Sequence, residues 1–223
     1  MLETIEHETR PDPEWSVIWL HGLGADGHDF EPIVPELVVR DWPAIRFVFP
    51  HAPVRAVTIN GGMRMRAWYD ILGSEIAARQ DEAGVRDSIA QVGKLVEREI
   101  LRGIPAERIV LAGFSQGGAI VLAAGLRHPQ RLGGIVALST YLPIADRGDG
   151  EFSAANRGVP LFMAHGSADP VVPQSLGIMS RDFLRARGYA VEWHAYPMPH
   201  SVCAEEIADL ARWLTLRFDG RDG

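Results

Sequence analysis

Short runs of apolar residues, rich in β-branched and aromatic side chains, recur along the chain and are separated by longer segments. Such runs predict buried strands, because a strand covered on both faces reads as a continuous hydrophobic stretch. Six segments have this character: residues 16–20, 45–49, 109–111, 134–138, 161–164 and 191–196. Residues 3–8 predict a further strand, antiparallel and at the edge of the sheet.

Several of the intervening segments have apolar residues at intervals of three and four, which is typical of one face of an α-helix. The pattern is clearest in residues 81–101, where Asp81 predicts the N-cap and Gly103 the end of the helix. Residues 174–187 and 204–217 predict two more helices. The alternation of strand and helix predicts a single α/β domain spanning residues 1–223, with a mostly parallel sheet and helices on both faces.

Composition and charge indicate which classes of binding partner to expect. The 223 residues are 47% hydrophobic and 23% charged, which suffices for one sizeable core. The net charge of −7 and the lack of Lys or Arg runs argue against nucleic acid and anionic membrane partners. We see neither a secretory signal pattern nor an apolar stretch long enough for stable membrane insertion. With one cysteine, Cys203, the chain cannot form an internal disulfide, so a cytoplasmic location is expected.

The strand at residues 109–111 leads into Gly113-Phe114-Ser115-Gln116-Gly117, which is followed by a helix of small apolar residues. A Gly-x-Ser-x-Gly motif between a strand and a helix is the nucleophile elbow of α/β-hydrolases. The turn exposes the serine oxygen in a strained backbone conformation, and the glycines avoid clashes with neighbouring elements. Ser115 is therefore the predicted nucleophile.

A serine nucleophile needs a histidine base, and the base needs a carboxylate, in the chain order Ser, acid, His for this fold. His200 follows the last predicted strand, where a parallel sheet presents its strand ends to a substrate, and is the predicted base. His165 is the runner-up. Asp169, in a proline-stiffened loop after the strand at 161–164, is the predicted acid, and Asp146 is its competitor.

Two N–H donors are needed to stabilise the oxyanion of the tetrahedral intermediate. The backbone amide of Gln116, directly after the nucleophile, is one predicted donor. The other is the amide of Leu23, in the Gly-rich loop after the strand at 16–20. Cys203 has no glycine elbow and is interpreted as a structural thiol. No metal-ligand spacing or cofactor motif stands out, so we expect neither a metal nor a cofactor.

Four ordered motifs stand out: His21-Gly22-Leu23-Gly24, Gly113-Phe114-Ser115-Gln116-Gly117-Gly118, His165-Gly166 with Asp169-Pro170-Val171-Val172-Pro173, and Tyr196-Pro197-Met198-Pro199-His200. Together they resemble the phospholipase/carboxylesterase family of α/β-hydrolases, whose eukaryotic members include the acyl-protein thioesterases. The similarity runs from about residue 15 to residue 213. The resemblance implies a serine hydrolase of esters or thioesters, without a cofactor, that uses Ser115, Asp169 and His200 with the Leu23 and Gln116 amides. Thr140, where such proteins commonly have glycine, and Ala25 depart from the family pattern, although neither is a triad residue.

The substrate is less well defined by the sequence. Residues 52–80 and 141–158 lack a regular pattern, and long loops of this kind are usually functional or mobile. Apolar side chains from these and nearby segments are candidates for an acyl channel, with membership of the core as the alternative for each. We predict a carboxylesterase for short-to-medium acyl esters. The alternatives are a lysophospholipase or acyl-protein thioesterase for longer chains, and a non-catalytic binding protein on the same scaffold. Exposed apolar loops are compatible with a homodimer, but no sequence feature defines an interface. The candidate channel residues are Met65, Trp68, Ile71, Leu72, Leu142, Val172 and Met198.

Overall fold

A computed structural model describes residues 1–73 and 80–219. The described strands are β1 (Thr4–Glu8), β2 (Trp15–Leu20), β3 (Ile45–Pro50), β4 (Val54–Val57), β5 (Met63–Arg66), β6 (Ile109–Phe114), β7 (Gly134–Leu138), β8 (Leu161–Gly166) and β9 (Val191–Tyr196). Seven of them form one sheet in the order β1-β3-β2-β6-β7-β8-β9, and β4 pairs with β5 in a separate hairpin. β1 is antiparallel to β3, with Thr4 opposite Pro50, whereas the other neighbouring strands of the large sheet are parallel.

Helices lie on both faces of this sheet. They are α1 (Val34–Leu37), α2 (Glu82–Leu101), α3 (Gln116–Arg127), α4 (Gly148–Glu151), α5 (Gln174–Arg185) and α6 (Ala204–Phe218). Successive residues of a strand point to opposite faces, and β2 shows the consequence. Ile18 belongs to the core formed with α2, α3 and α5, and Trp19 to the core formed with α1 and α6. The two cores and the sheet between them make the α/β-hydrolase fold that the sequence predicted.

The predicted elements agree with the structure to within a few residues. β1 is the predicted antiparallel edge strand, and α2 begins after Asp81, whose side chain accepts the Gly84 N–H at 2.9 Å. Gly103 ends this helix with a φ of 97°. The predicted helix 174–187 ends earlier, at Arg185, because the chain turns through Gly188 with a φ of 84°.

The segment 52–80 differs from its prediction as an irregular loop, because β4 and β5 form an antiparallel hairpin within it. These strands have four residues each and mixed polarity, so they lack the buried-strand pattern. The rest of the segment pairs Ile71 with Gln80 through an isolated bridge, and residues 74–79 lie outside the described part of the chain. Among the described helices, none is long and apolar enough to cross a membrane.

Candidate active site

The elbow joins β6 to α3, and Ser115 adopts a φ of 54° and a ψ of −122°. A positive φ is costly for a residue with a Cβ, by about 1–3 kcal/mol, and is typical of residues held by their surroundings for function. The flanking glycines allow the chains to approach closely. A Cβ built on Gly113 would lie 2.6 Å from the Gly117 backbone, and one on Gly117 would lie 2.3 Å from the Leu20 carbonyl oxygen. Any larger residue would force the turn away from the sheet.

The structure brings Ser115, His200 and Asp169 into hydrogen-bond contact. His200 Nε2 lies 2.9 Å from Ser115 Oγ, and His200 Nδ1 lies 2.7 Å from Asp169 Oδ2. The other carboxylate oxygen, Oδ1, accepts the backbone N–H groups of Val171 and Val172 at 2.8 and 2.9 Å. The Asp169 side chain has no exposed surface, whereas His200 is 15% exposed. Because the carboxylate is fixed at both oxygens, the imidazole is oriented with Nε2 toward the serine.

The competing residues His165 and Asp146 do not take the places of His200 and Asp169 in this hydrogen-bonded series. His165 is buried, its Nε2 lies 2.9 Å from the Val172 carbonyl oxygen, and burial lowers its pKa. It approaches the carboxylate of Asp169 at 3.6 Å without being bonded to the serine. Asp146 is 73% exposed and pairs with Arg147.

Cys203 is half-buried at the N-cap of α6, and burial raises the pKa of its thiol, which disfavours the nucleophilic thiolate. Among residues 1–73 and 80–219, no three His, Cys, Asp or Glu side chains are grouped so as to hold a metal ion.

The loop after β2 lies against the elbow, where the second oxyanion donor is predicted. A Cβ built on Gly22 would be 3.5 Å from the Ser115 Cβ. The His21 ring fixes this loop, with Nδ1 2.7 Å from the Gly22 carbonyl oxygen and Nε2 accepting the Ala52 N–H at 3.0 Å. Burial lowers the pKa of His21 to about 4, so the ring is neutral and can accept that bond. Leu23 follows directly, and Gln116 opens α3, whose first N–H groups have no intrahelical acceptor.

The Gln116 side chain also takes part in the site, a role that the motif did not reveal. Its Oε1 accepts the Trp68 backbone N–H and its Nε2 donates to the Tyr69 carbonyl oxygen, both at 2.8 Å. The Trp68 indole donates to the His21 carbonyl oxygen at 2.9 Å. These bonds join the elbow, the oxyanion loop and the segment after β5, which are far apart in sequence.

Thr140 contacts the elbow directly, which the sequence did not suggest. Its hydroxyl donates to the Ser115 carbonyl oxygen at 2.6 Å, and the side chain is buried. The departure from the family pattern at this position therefore contacts the backbone of the predicted nucleophile.

The predicted channel residues are distributed over several environments. Trp68 is fully buried and offers no surface to a substrate, so for this residue the core alternative applies. Val172 and Met198 are also buried, whereas Met65, Ile71 and Leu72 are half-buried. Leu142 lines a cavity of about 270 Å³ with Tyr141, Leu176, Met179 and Phe183. Contact of the remaining residues with an acyl chain stays a prediction.

Another cavity, of about 390 Å³, reaches His200 directly. It lies between the residues that lead into α1 and those that open α6, and its position was not anticipated from the sequence. A larger cavity of about 520 Å³ includes Leu161 and Val191, the first residues of β8 and β9, and so lies at the edge of the sheet opposite to Ser115.

The fold, the strained serine between β6 and α3 and its contacts with His200 and Asp169 define a serine hydrolase of the α/β-hydrolase class. The model of the phospholipase/carboxylesterase family matches residues 3–217, and the chain belongs to this family.

Relatives and solved structures agree with this assignment. Acyl-protein thioesterase 1 of Neurospora crassa is 45% identical over 91% of this chain and 86% of its own length. The protein of the same name from Yarrowia lipolytica is 41% identical over 89% and 90%. The crystal structure of Arabidopsis thaliana SOBER1 superposes with a TM-score of 0.86 at 31% identity, covering 91% of this chain and 98% of that one. Zea mays acyl-protein thioesterase 2 gives 0.84 at 29% identity, covering 96% and 99%. The chain is accordingly an esterase or thioesterase.

Proposed function

We propose that this protein is an acyl-protein thioesterase, which cleaves the thioester between a fatty acyl group and a cysteine side chain through an acyl-enzyme at Ser115. The observation that carries the proposal is the contact of His200 Nε2 with Ser115 Oγ at 2.9 Å, with Asp169 bound to the opposite ring nitrogen at 2.7 Å. A serine hydroxyl is a poor nucleophile at neutral pH, and this arrangement supplies both the base and the group that orients it.

In the acylation step, Ser115 Oγ attacks the thioester carbonyl carbon while His200 Nε2 takes the hydroxyl proton. Asp169 stabilises the resulting imidazolium. The carbonyl oxygen becomes an oxyanion that accepts hydrogen bonds from the backbone N–H groups of Leu23 and Gln116. Each of these donors contributes a factor of about 10²–10³ in rate. When the tetrahedral intermediate collapses, the C–S bond breaks and the thiol leaves with the proton from His200.

Deacylation repeats these steps with water in place of serine. His200 Nε2 takes a proton from water, the hydroxide attacks the acyl-enzyme, and the same two amides hold the second oxyanion. The collapse returns the proton to Ser115 Oγ and releases the fatty acid. No step requires a cofactor, because the charges that develop lie on groups that the protein itself contacts.

The relatives support a thioester as the substrate in preference to the short-to-medium esters that the sequence predicted. The curated relatives compared above are named acyl-protein thioesterases and match about nine-tenths of this chain. A cavity of about 390 Å³ opens at His200, which leaves room beside the predicted nucleophile for a substrate larger than a small ester. Each buried methylene is worth about 0.8 kcal/mol, so the chain-length preference depends on how much apolar surface of the protein the acyl group covers.

Matched substrates test this proposal. We would measure hydrolysis of octanoyl and palmitoyl thioesters of a cysteine peptide beside the same acyl groups as serine esters and beside p-nitrophenyl acetate. The wild type, Ser115→Ala and Ser167→Ala would be compared, since Ser167 is exposed in the loop that precedes Asp169 and serves as the matched control.

We expect the long-chain thioesters to be the better substrates and Ser115→Ala to reduce kcat by about 10⁶ while Ser167→Ala does not. Fluorophosphonate should label the wild type and not Ser115→Ala. A Ser115-dependent optimum at acetate would favour the short-chain esterase instead. A Ser115→Ala variant that retained most of its activity would refute the nucleophile.

We also propose a cytoplasmic site of action, supported by the single cysteine, which suits a reducing compartment. Fractionation of cells that express the tagged chain tests this location. Recovery in a secreted or membrane-embedded fraction would contradict it.

A further inference from the structure

The cavity beside His200, here called the His200 groove, has an apolar wall built from two distant parts of the chain. Phe30 and Ile33 come from the segment that leads into α1, Val202 comes just before α6, and Ile207 lies in its first turn. Phe114 closes the groove next to the elbow, with its ring 4.7 Å from the His200 ring and 5.5 Å from that of Phe30. The aromatic wall is thus continuous with the ring that contacts Ser115.

The position of the groove relative to His200 indicates which part of a substrate it can receive. In acyl transfer the histidine gives its proton to the leaving group, so the leaving group must lie on the histidine side of the nucleophile. The predicted oxyanion donors, Leu23 and Gln116, do not line the groove, whereas His200 does. The groove therefore faces the departing sulfur, with the oxyanion donors outside it.

The rim of the groove is acidic. Asp29 and Glu36 line it, both are exposed, and within the described residues neither forms an ion pair with Lys, Arg or His. Residues 26–36 contain four carboxylates and no Lys or Arg. Partial desolvation against the protein surface, and then the neighbouring negative charge of Asp26, raise the pKa of Asp29. A cation placed at this rim would relieve the repulsion between the carboxylates.

We propose that the His200 groove binds the polypeptide side of the thioester, with an apolar residue beside the acylated cysteine against Phe30, Phe114 and Ile207 and a Lys or Arg beside Asp29 and Glu36. This inference rests on the proposed thioesterase function and adds the substrate class: cysteine peptides with basic and apolar neighbours. A peptide with acidic neighbours would bring like charges together at the rim, which lowers its affinity.

Three octanoyl thioesters test the assignment. Two are cysteine peptides that share a leucine neighbour and differ only in carrying two lysines or two glutamates, and the third is the small neutral thioester of N-acetylcysteamine. The readout is the ratio of kcat/KM for the lysine peptide to that for the glutamate peptide. An exposed ion pair changes affinity by about 1.4- to 5-fold, so two such pairs multiply to about 2- to 25-fold, and we expect a ratio of about ten at low salt.

Three variants locate the effect. Asp29→Asn with Glu36→Gln should bring the ratio close to one, and Asp29→Lys with Glu36→Lys should invert it. Glu97→Gln with Glu107→Gln makes the same change in net charge as Asp29→Asn with Glu36→Gln. It does so at exposed positions on α2 and just before β6, and should keep the wild-type ratio. This control separates contact at the rim from the long-range field of the protein.

The outcomes separate the two proposals. Ser115-dependent hydrolysis of all three thioesters, with a ratio that is near one in the wild type or unchanged in the rim variants, would overturn the groove assignment and leave the thioesterase function standing. An absence of Ser115-dependent hydrolysis of any thioester would overturn both. A wild-type ratio of about ten that is lost only in the rim variants supports the groove.

Discussion

Replacing Asp169 by asparagine should disable the base without removing any side chain from the site. Asp169 Oδ1 accepts two backbone N–H groups, from Val171 and Val172, at 2.8 and 2.9 Å. An amide nitrogen cannot accept these bonds, so the asparagine oxygen must occupy the Oδ1 position. The NH₂ group then takes the place of Oδ2 and points its hydrogens at His200 Nδ1.

The imidazole has to respond to this donor. A nitrogen that faces an N–H donor must be the acceptor, so Nδ1 loses its proton and Nε2 carries it. The Nε2–H is then aimed at Ser115 Oγ, 2.9 Å away, and the base cannot take the serine proton. Loss of the correct tautomer and of the charge beside the imidazolium costs about four orders of magnitude in kcat, or about 5 kcal/mol of transition-state stabilisation.

The assay is continuous detection of thiol released from an octanoyl thioester, with circular dichroism and thermal melting to establish that the variant is folded. Asp146→Asn is the matched control, because Asp146 is the other acid that sequence reasoning left open and is 73% exposed. Its rate should stay within about twofold of the wild type. If Asp169→Asn were folded and lost less than tenfold, Asp169 would not be the residue that orients His200.

Three further changes follow from the structure. Thr140→Val removes the 2.6 Å bond to the Ser115 carbonyl oxygen, so kcat should fall about five- to tenfold and Thr140→Ser should restore it. Gly117→Ala places a Cβ 2.3 Å from the Leu20 carbonyl oxygen, so it should lower the melting temperature and abolish fluorophosphonate labelling. The matched control is Gly93→Ala in α2, where a Cβ meets open space, and this change should raise the free energy of unfolding by about 0.5–1 kcal/mol. Burial raises the pKa of Glu206 to about 8, so the folded state keeps a proton that the unfolded chain releases near 4.5. The free energy of unfolding should therefore fall from pH 4.5 to 8, and calorimetry on Glu206→Gln should show a weaker fall.

The parts of the site that could be predicted from sequence are those that local chain geometry defines. The elbow needs a strand, two glycines and a helix in sequence, so β6, Ser115 and α3 are readable within the continuous stretch of residues 109–127. Asp169 and His200 each follow a strand of a parallel sheet, whose carboxyl ends meet at one edge. Their meeting with Ser115 was therefore predictable from the strand order, although the distances were not.

The remaining features depend on contacts between residues that are far apart in the sequence and share no local motif. The bond from the Trp68 amide to the Gln116 side chain joins residues 48 positions apart, so the motif revealed the backbone of Gln116 and not its side chain. The hairpin of β4 and β5 was missed because each strand has four residues with mixed burial. The His200 groove combines residues 29–36 with residues 200–207, which share no pattern that would indicate proximity.

The strained serine shows why the departure at Thr140 matters more than its place outside the triad suggests. The Ser115 N–H donates to the Leu138 carbonyl oxygen at 2.9 Å, and its carbonyl oxygen accepts from the Ala119 N–H at 3.1 Å and from the Thr140 hydroxyl at 2.6 Å. Because a peptide unit is planar, a bond that holds the Ser115 carbonyl also orients the N–H of Gln116 at the other end of that unit. The last residue of β7 and Thr140 just after it thus hold both the nucleophile and a predicted oxyanion donor, and they offset the cost of a positive φ through contacts made away from the reacting atoms.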